Sequence, residues 1–169
     1  MKRGIKKIFI ILTPVLLALL ADRITKGWVM TQVPSFDGIF VSDNFLFSLK
    51  IVKSLNTELA LSIPMPTLII YITTIVITIF IAWLTYLKIV QNKLIYAAAL
   101  STILVSAISN LFDRIYYGGV VDFVSLGFFH YSWSIFNLAD VFIIVGLLIV
   151  LYKELKSTRL RQSYEGQES

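Results

Sequence analysis

The sequence has no cysteine and a single histidine, His130. A thiol nucleophile, a disulfide framework and thiolate-held metals are therefore excluded. A lone imidazole also argues against a His-ligated metal centre or a Ser–His catalytic pair, so neither metal nor cofactor is expected. Charge is sparse: 15% of the 169 residues are Asp, Glu, Lys or Arg, 57% are hydrophobic, and the mean hydropathy is +0.83. Soluble domains carry about 25% charged residues, so this composition points to a membrane protein. No internal repeat of the kind that marks many transporters is present.

What the chain does have is long uncharged runs. Residues 67–87 and 94–112 contain no charge, and 136–152 contains only Asp140. Runs of about this length span a bilayer as helices. The many β-branched residues of 67–87 would favour strand in water, but in lipid each segment must satisfy its own backbone, and helix wins. Residues 8–30 follow Lys2, Arg3, Lys6 and Lys7, the layout of a signal peptide. No A-x-A pattern closes that run, and it continues through Asp22, Arg23 and Lys26, so it reads as a retained first span. Asp22 and Lys26, spaced i, i+4, pair on one helix face.

The expected fold is an all-α membrane protein with four transmembrane helices and a small extracytoplasmic β platform. One domain covers 1–152, with spans at about 8–30, 67–87, 94–112 and 136–152. The polar tail, 153–169, is expected to fray in the cytoplasm. The platform is read from 38–52, where Phe45, Phe47, Leu49 and Ile51 alternate with period two. Asn56, Thr57 and Glu58 fall in an expected loop. Ten of the fifteen Lys and Arg lie in 1–7, 88–93 and after 152. The positive-inside rule then puts both termini in the cytoplasm and 31–66 and 113–135 outside. The net charge of +5 reflects this topology and not a nucleic-acid partner.

The chemistry concentrates in 109–140, where Asn110, Asp113, Arg114, Asp122, Asn137 and Asp140 sit between apolar runs. An Asp or Arg at a helix centre in lipid costs roughly 2.5–3.5 kcal/mol, and groups kept at that cost are usually functional. Asn110, Asp113 and Arg114 share a helix face, and Asp113–Arg114 reads as an ion pair locking the helix end. Gly118-Gly119 allows a turn, and 120–123 reads as a short extended segment carrying Asp122. Asn137 and Asp140 are i, i+3 at the outer end of the last helix. Two carboxylates in a low-dielectric cleft share a proton, so one activates water while the other polarises a carbonyl. That suits amide hydrolysis without a covalent intermediate. Acids also mark proton relays and ion pathways, which stays open on the residues alone.

SNLFDR, VVDF and FNLAD, in this order and spacing, resemble the signature of the lipoprotein signal peptidase (signal peptidase II) family. Asp22 and Lys26 in DRITK resemble its N-terminal acidic motif, and Asn56 its Asn-x-Gly-Ala-Ala-Phe segment. The resemblance implies an aspartic endopeptidase of the bacterial cytoplasmic (inner) membrane, with its site near the outer face. It would cleave a prolipoprotein before the diacylglyceryl-cysteine, with Asp122 and Asp140 as the dyad. It implies that Asn110, Arg114 and Asn137 hold the dyad and substrate backbone, and that Asp113 is a structural acid beside Arg114. Diacylglyceryl-modified prolipoprotein, membrane lipids and globomycin-like cyclic peptides are the implied partners of a monomer. Two positions depart from the pattern. Ser109 stands for a glycine, narrowing the space beside Asn110, and Glu58-Leu59-Ala60-Leu61 replaces Gly-Ala-Ala-Phe. An inactive member that binds lipoprotein precursors remains an alternative, as does a carboxylate-lined transporter.

Overall fold

The computed structural model describes residues 2–34, 38–43, 46–58, 65–129 and 131–165. His130 and Leu59-Ala60-Leu61, singled out in the sequence, lie outside the described residues, as does Phe45. Four helices are described: α1 (Lys2–Gln32), α2 (Thr67–Val90), α3 (Leu94–Tyr117) and α4 (Leu138–Glu165). Four strands accompany them: β1 (Ile39–Asp43), β2 (Phe47–Asn56), β3 (Val120–Phe128) and β4 (Tyr131–Phe136).

Residues 5–32, α2 and α3 are each long and apolar enough to cross a membrane. The chain is a multi-pass membrane protein. Its helices bury little on their outer faces: Leu68, Ile72, Val76, Ile79 and Trp83 of α2 are all exposed, as lipid-facing side chains should be. Four threonines of these helices spend their hydroxyls internally. Thr74, Thr78, Thr85 and Thr102 each donate to the carbonyl four residues back, so none presents an unsatisfied polar group to lipid.

α3 is the central helix, packed against α1, α2 and α4. Its buried face includes Ala97, Ala99, Ser106 and Ser109, small enough for close helix approach. Two contacts define one end of the bundle. Lys7 Nζ donates to Asn92 Oδ1 at 2.8 Å in the α2–α3 turn, and Tyr96 donates to Glu154 at 2.8 Å. The sheet sits at the opposite end.

The boundaries of the last helix differ from the sequence reading. Phe136 closes β4, and α4 begins at Leu138. Its uncharged stretch is 141–152, about 18 Å of helix against the roughly 30 Å hydrocarbon core, so α4 falls short of the other three. The tail does not fray at Lys153. Helix continues to Glu165, because 153–165 is rich in Lys, Glu, Leu and Arg with no Gly or Pro.

The sheet is larger than the platform read from 38–52. It is antiparallel throughout, in the order β1-β2-β3-β4, with α2 and α3 between β2 and β3 in the chain. β2 extends to Asn56, which pairs with Val120, so the residue expected in a loop is a strand end. Between the pairs Ile51↔Val124 and Ser54↔Asp122, β2 carries one extra residue, a bulge beside Asp122. Phe123 packs against Val29 and Val33, with Ile51 and Leu138 around them, and this cluster seats the sheet on the end of α1. The paired glycines explain the turn from α3 into β3. Gly118 ends the helix with φ 77° and its N–H on the Arg114 carbonyl. Gly119 lets the Asn56 carbonyl approach to where a Cβ would stand 3.1 Å away.

Where α4 crosses α3, a Cβ on Gly146 would lie 2.6 Å from Ile103 Cγ1 and 3.1 Å from the Ala99 carbonyl oxygen. Neither neighbour is a free chain end. Gly146→Ala is therefore expected to destabilise the bundle by about 1–3 kcal/mol, the usual range for overpacking. A lowered thermal midpoint of the purified protein in detergent is the readout. An unchanged midpoint would mean that the α3–α4 crossing tolerates the extra carbon.

Candidate functional site

Lys26 is the hub of the polar network. Its ammonium, on a side chain 3% exposed, touches Asp22 Oδ2 at 2.9 Å, Asp113 Oδ2 at 2.8 Å and Asn110 Oδ1 at 2.7 Å. Those three contacts use all three ammonium donors. The i, i+4 pair with Asp22 thus forms as the spacing predicts, but it is buried inside the bundle and not set at a lipid boundary. Arg23 supplies the second cation, 2.7 Å from Asp113 Oδ1 and 3.3 Å from Asp22 Oδ2. Its guanidinium also lies 5.4 Å from the centroid of the Phe112 ring, a cation–π contact.

Asp113 is consequently not paired with Arg114. Its two oxygens take Arg23 and Lys26, and the Val121 N–H adds a bond at 3.3 Å. Adjacent residues on a helix point about 100° apart, which is why Asp113 turns inward to α1 while Arg114 turns elsewhere. Arg114 donates to the Glu58 carbonyl at 2.8 Å, and its own carbonyl accepts from Tyr71 of α2. Glu58 enters the site through its backbone: its N–H donates to Asn56 Oδ1 at 2.9 Å.

Ser109 has a role different from narrowing the space beside Asn110. Its hydroxyl donates to Asp22 Oδ2 at 2.6 Å, while Asp22 Oδ1 accepts the Ala139 N–H of α4 at 3.0 Å. A side chain of α1 therefore caps an otherwise unpaired N–H in the first turn of α4.

Asn137 and Asp140 form a reciprocal cap at that same helix start. The Asp140 N–H donates to Asn137 Oδ1 at 3.0 Å, and the Asn137 N–H donates to Asp140 Oδ2 at 3.1 Å. The other Asp140 oxygen accepts from Asn110 Nδ2 at 2.9 Å. Asn137 Nδ2, left over from the cap, donates to Asp122 Oδ1 at 2.6 Å. Asn56 Nδ2 takes the remaining Asp122 oxygen at 3.0 Å. One asparagine thus touches both acids, and a continuous chain runs from Lys26 through Asn110, Asp140 and Asn137 to Asp122.

Of the nine residues singled out in the sequence, eight join this chain or its ion cluster: Asp22, Lys26, Asn56, Asn110, Asp113, Asp122, Asn137 and Asp140. Arg114 stands beside it, tied to the Asn56 turn. Arg23 and Tyr71 were missed. Arg23 lies between Asp22 and Lys26 in sequence, which is its only signal. Nothing in the apolar run of α2 distinguishes Tyr71.

The two carboxyls sit in different surroundings, Asp122 on a strand and Asp140 at a helix start. Burial pushes the Asp122 carboxyl, in β3 outside the spanning helices, from its ordinary value up to about 6. Its Asn56 and Asn137 donors favour the ionised form and pull against this, while the nearby Asp140 adds to the rise. Asp122 therefore holds a proton below about pH 6 and loses it as pH rises through that value. No group of three or more His, Cys, Asp or Glu suited to a metal occurs among the described residues.

Two outcomes follow from these contacts. Lys26→Met leaves the buried Asp22 and Asp113 to share Arg23 as their remaining cation and is expected to cost about 3–5 kcal/mol of stability or prevent folding. Arg114→Ala leaves Asp113 with both its cations, so its thermal midpoint should stay much nearer wild type; equal loss in both variants would contradict the assignment of counter-ions. For Asp122, carbon-13 NMR of labelled aspartate should show a carboxyl titrating near pH 6. Asn56→Ala removes a donor to the ionised form, so that midpoint should move to higher pH. A downward shift would contradict the hydrogen-bond assignment.

Comparison with known proteins agrees along most of the chain. Residues 14–156 match the family described as "Signal peptidase (SPase) II". The chain is 32% identical over 136 residues to the lipoprotein signal peptidase of Wigglesworthia glossinidia brevipalpis, covering 80% of this chain and 87% of that one. It is 34% identical over 142 residues to that of Thermodesulfovibrio yellowstonii, covering 84% and 92%. A solved structure described as a bacterial membrane enzyme superposes with a TM-score of 0.71 at 28% identity, over 86% of this chain and 92% of that one.

Proposed function

The chain belongs to the signal peptidase II family, and from that premise we propose that it is a membrane aspartic endopeptidase that matures prolipoproteins. The bond cut is the one before the diacylglyceryl-cysteine, and Asp122 and Asp140 activate the water. The observation that carries this reading is Asn137, whose amide donates to Asp122 while its carbonyl oxygen and N–H engage Asp140. A single residue, through its side-chain amide and its backbone N–H, holds two carboxyls from different elements around one locus.

In this reading Asp122 carries the shared proton. Its carboxyl, pushed up by burial in β3, donates to the scissile carbonyl. Asp140, held by Asn110 and the Asn137 N–H, is the base that takes a proton from water. The attack yields a tetrahedral intermediate with no bond to the enzyme. Collapse then needs a proton on the leaving amine, which Asp140 returns, while Asp122 recovers its own. Arg114 and the Asn56–Glu58 turn lie where substrate backbone would pass.

Four spans are proposed, with α4 completing its crossing by way of its polar C-terminal turns and an inner-membrane topology with cytoplasmic termini. The sheet then lies at the outer surface, where a lipid-anchored cysteine would reach the dyad. Globomycin-like peptides are proposed as inhibitors of that cleft, and the monomer as the active form. The 1–152 unit is proposed as the whole catalytic domain.

The test is incubation of purified protein with a diacylglyceryl-modified precursor peptide. Wild type should release the signal peptide. Asp122→Asn and Asp140→Asn each keep the shape and most hydrogen bonds but lack a proton-transfer partner, and each should lower the rate by at least about 10²-fold. Near-wild-type turnover by either variant would end the aspartic mechanism; no cleavage by wild type would favour a precursor-binding role.

A further inference from the structure

The polar network closes the sheet end of the α1–α3–α4 contact. Toward the other end the same three helices leave a groove of about 410 Å³. Ile10, Pro14 and Leu17 of α1 form one wall, Gly146 and Ile149 of α4 the other, and Ala98 of α3 lies at the floor. The geometry explains the gap. α1 and α4 both pack on α3, and Asp22 pins them together at the Ala139 N–H, 3.0 Å away. Beyond that pin, Ala98 and Ala99 of α3 offer no side chain long enough to fill the space between them.

The groove has a charged mouth. Lys6 is four residues before Ile10, and Lys153 is four residues after Ile149. On a helix that spacing stacks side chains on one face, so each lysine stands one turn beyond a groove wall. Neither makes a hydrogen bond or ion pair among the described residues, whereas Lys7 is engaged by Asn92 and Lys26 by its three acceptors. A basic pocket between spanning helices suits an anionic headgroup.

We infer that this groove is a binding site for one anionic glycerophospholipid, with an acyl chain along Ile10, Pro14 and Leu17 and the phosphate between Lys6 and Lys153. Apolar walls match the chain and two cations match the headgroup. A second copy of the protein would bring its own Lys6 and Lys153 against these and be repelled. A signal peptide, whose leading segment is positively charged, would be repelled likewise. With the termini inside, the lipid belongs to the cytoplasmic leaflet. The site is separate from the carboxylates, so it stands or falls without reference to peptide cleavage.

Native mass spectrometry of the full chain in detergent is the test, with phosphatidylglycerol and phosphatidylcholine of identical acyl chains. Wild type is expected to retain phosphatidylglycerol several-fold better. Lys6→Gln with Lys153→Gln should abolish that preference, while Lys88→Gln, at the same end of the bundle on α2, should keep it. Ala98→Leu, which fills the floor, should lose the adduct of either lipid. Equal retention of both lipids by wild type would overturn the site, as would an equal loss of preference in Lys88→Gln. So would a photoreactive residue at position 98 crosslinking to a second copy or to a precursor's signal peptide in place of lipid. The lysine variants decide the matter even if Ala98→Leu fails to fold.

Discussion

A single ammonium group organises the sheet end of this protein. Lys26 is held by two carboxylates and an amide oxygen in a place with almost no access to water. A charge so buried is tolerable only when every donor is matched, and the match requires α1 and α3 to adopt one relative position. Asp22 then carries the constraint to α4 through the Ala139 N–H, and Asp113 carries it to β3 through the Val121 N–H. Four elements are referred to one cation. Apolar packing in lipid is weakly directional, since lipid tails compete with side chains, so polar contacts of this kind do the aligning.

From that alignment the two acids acquire their different surroundings. Asp140 belongs to a helix start and is restrained by the reciprocal cap with Asn137. Asp122 belongs to a strand beside a bulge, buried, with only two amide donors to support its charge. The asparagine between them keeps the pair together without neutralising either, because an amide carries no charge.

Much of this was legible from residue order. The uncharged runs at 67–87 and 94–112 located two helices long and apolar enough to span, Gly118-Gly119 announced a turn, and the acids and asparagines between 109 and 140 marked where the polar groups would meet. Two readings failed for related reasons. Asp113 and Arg114 are neighbours in sequence, which suggested a pair, yet consecutive helix positions diverge and each found a partner on another element. Ser109 looked like a steric departure, and it is a donor to Asp22, a residue 87 positions away. The end of β2 at Asn56 and the strand β4 were hidden because short strands are decided by their pairing partners.

Sequence alone determined the class of the protein, because hydropathy and charge act residue by residue: no arrangement makes 67–87 or 94–112 soluble. The tertiary structure decided which charge answers which. Lys26 and Arg23 could have served any of several carboxylates, and Asn137 could have been an ordinary helix cap. Hydrogen bonds and ion pairs are short-ranged and directional, so their partners depend on where separate helices and strands come to rest, and that is set by packing across the whole chain.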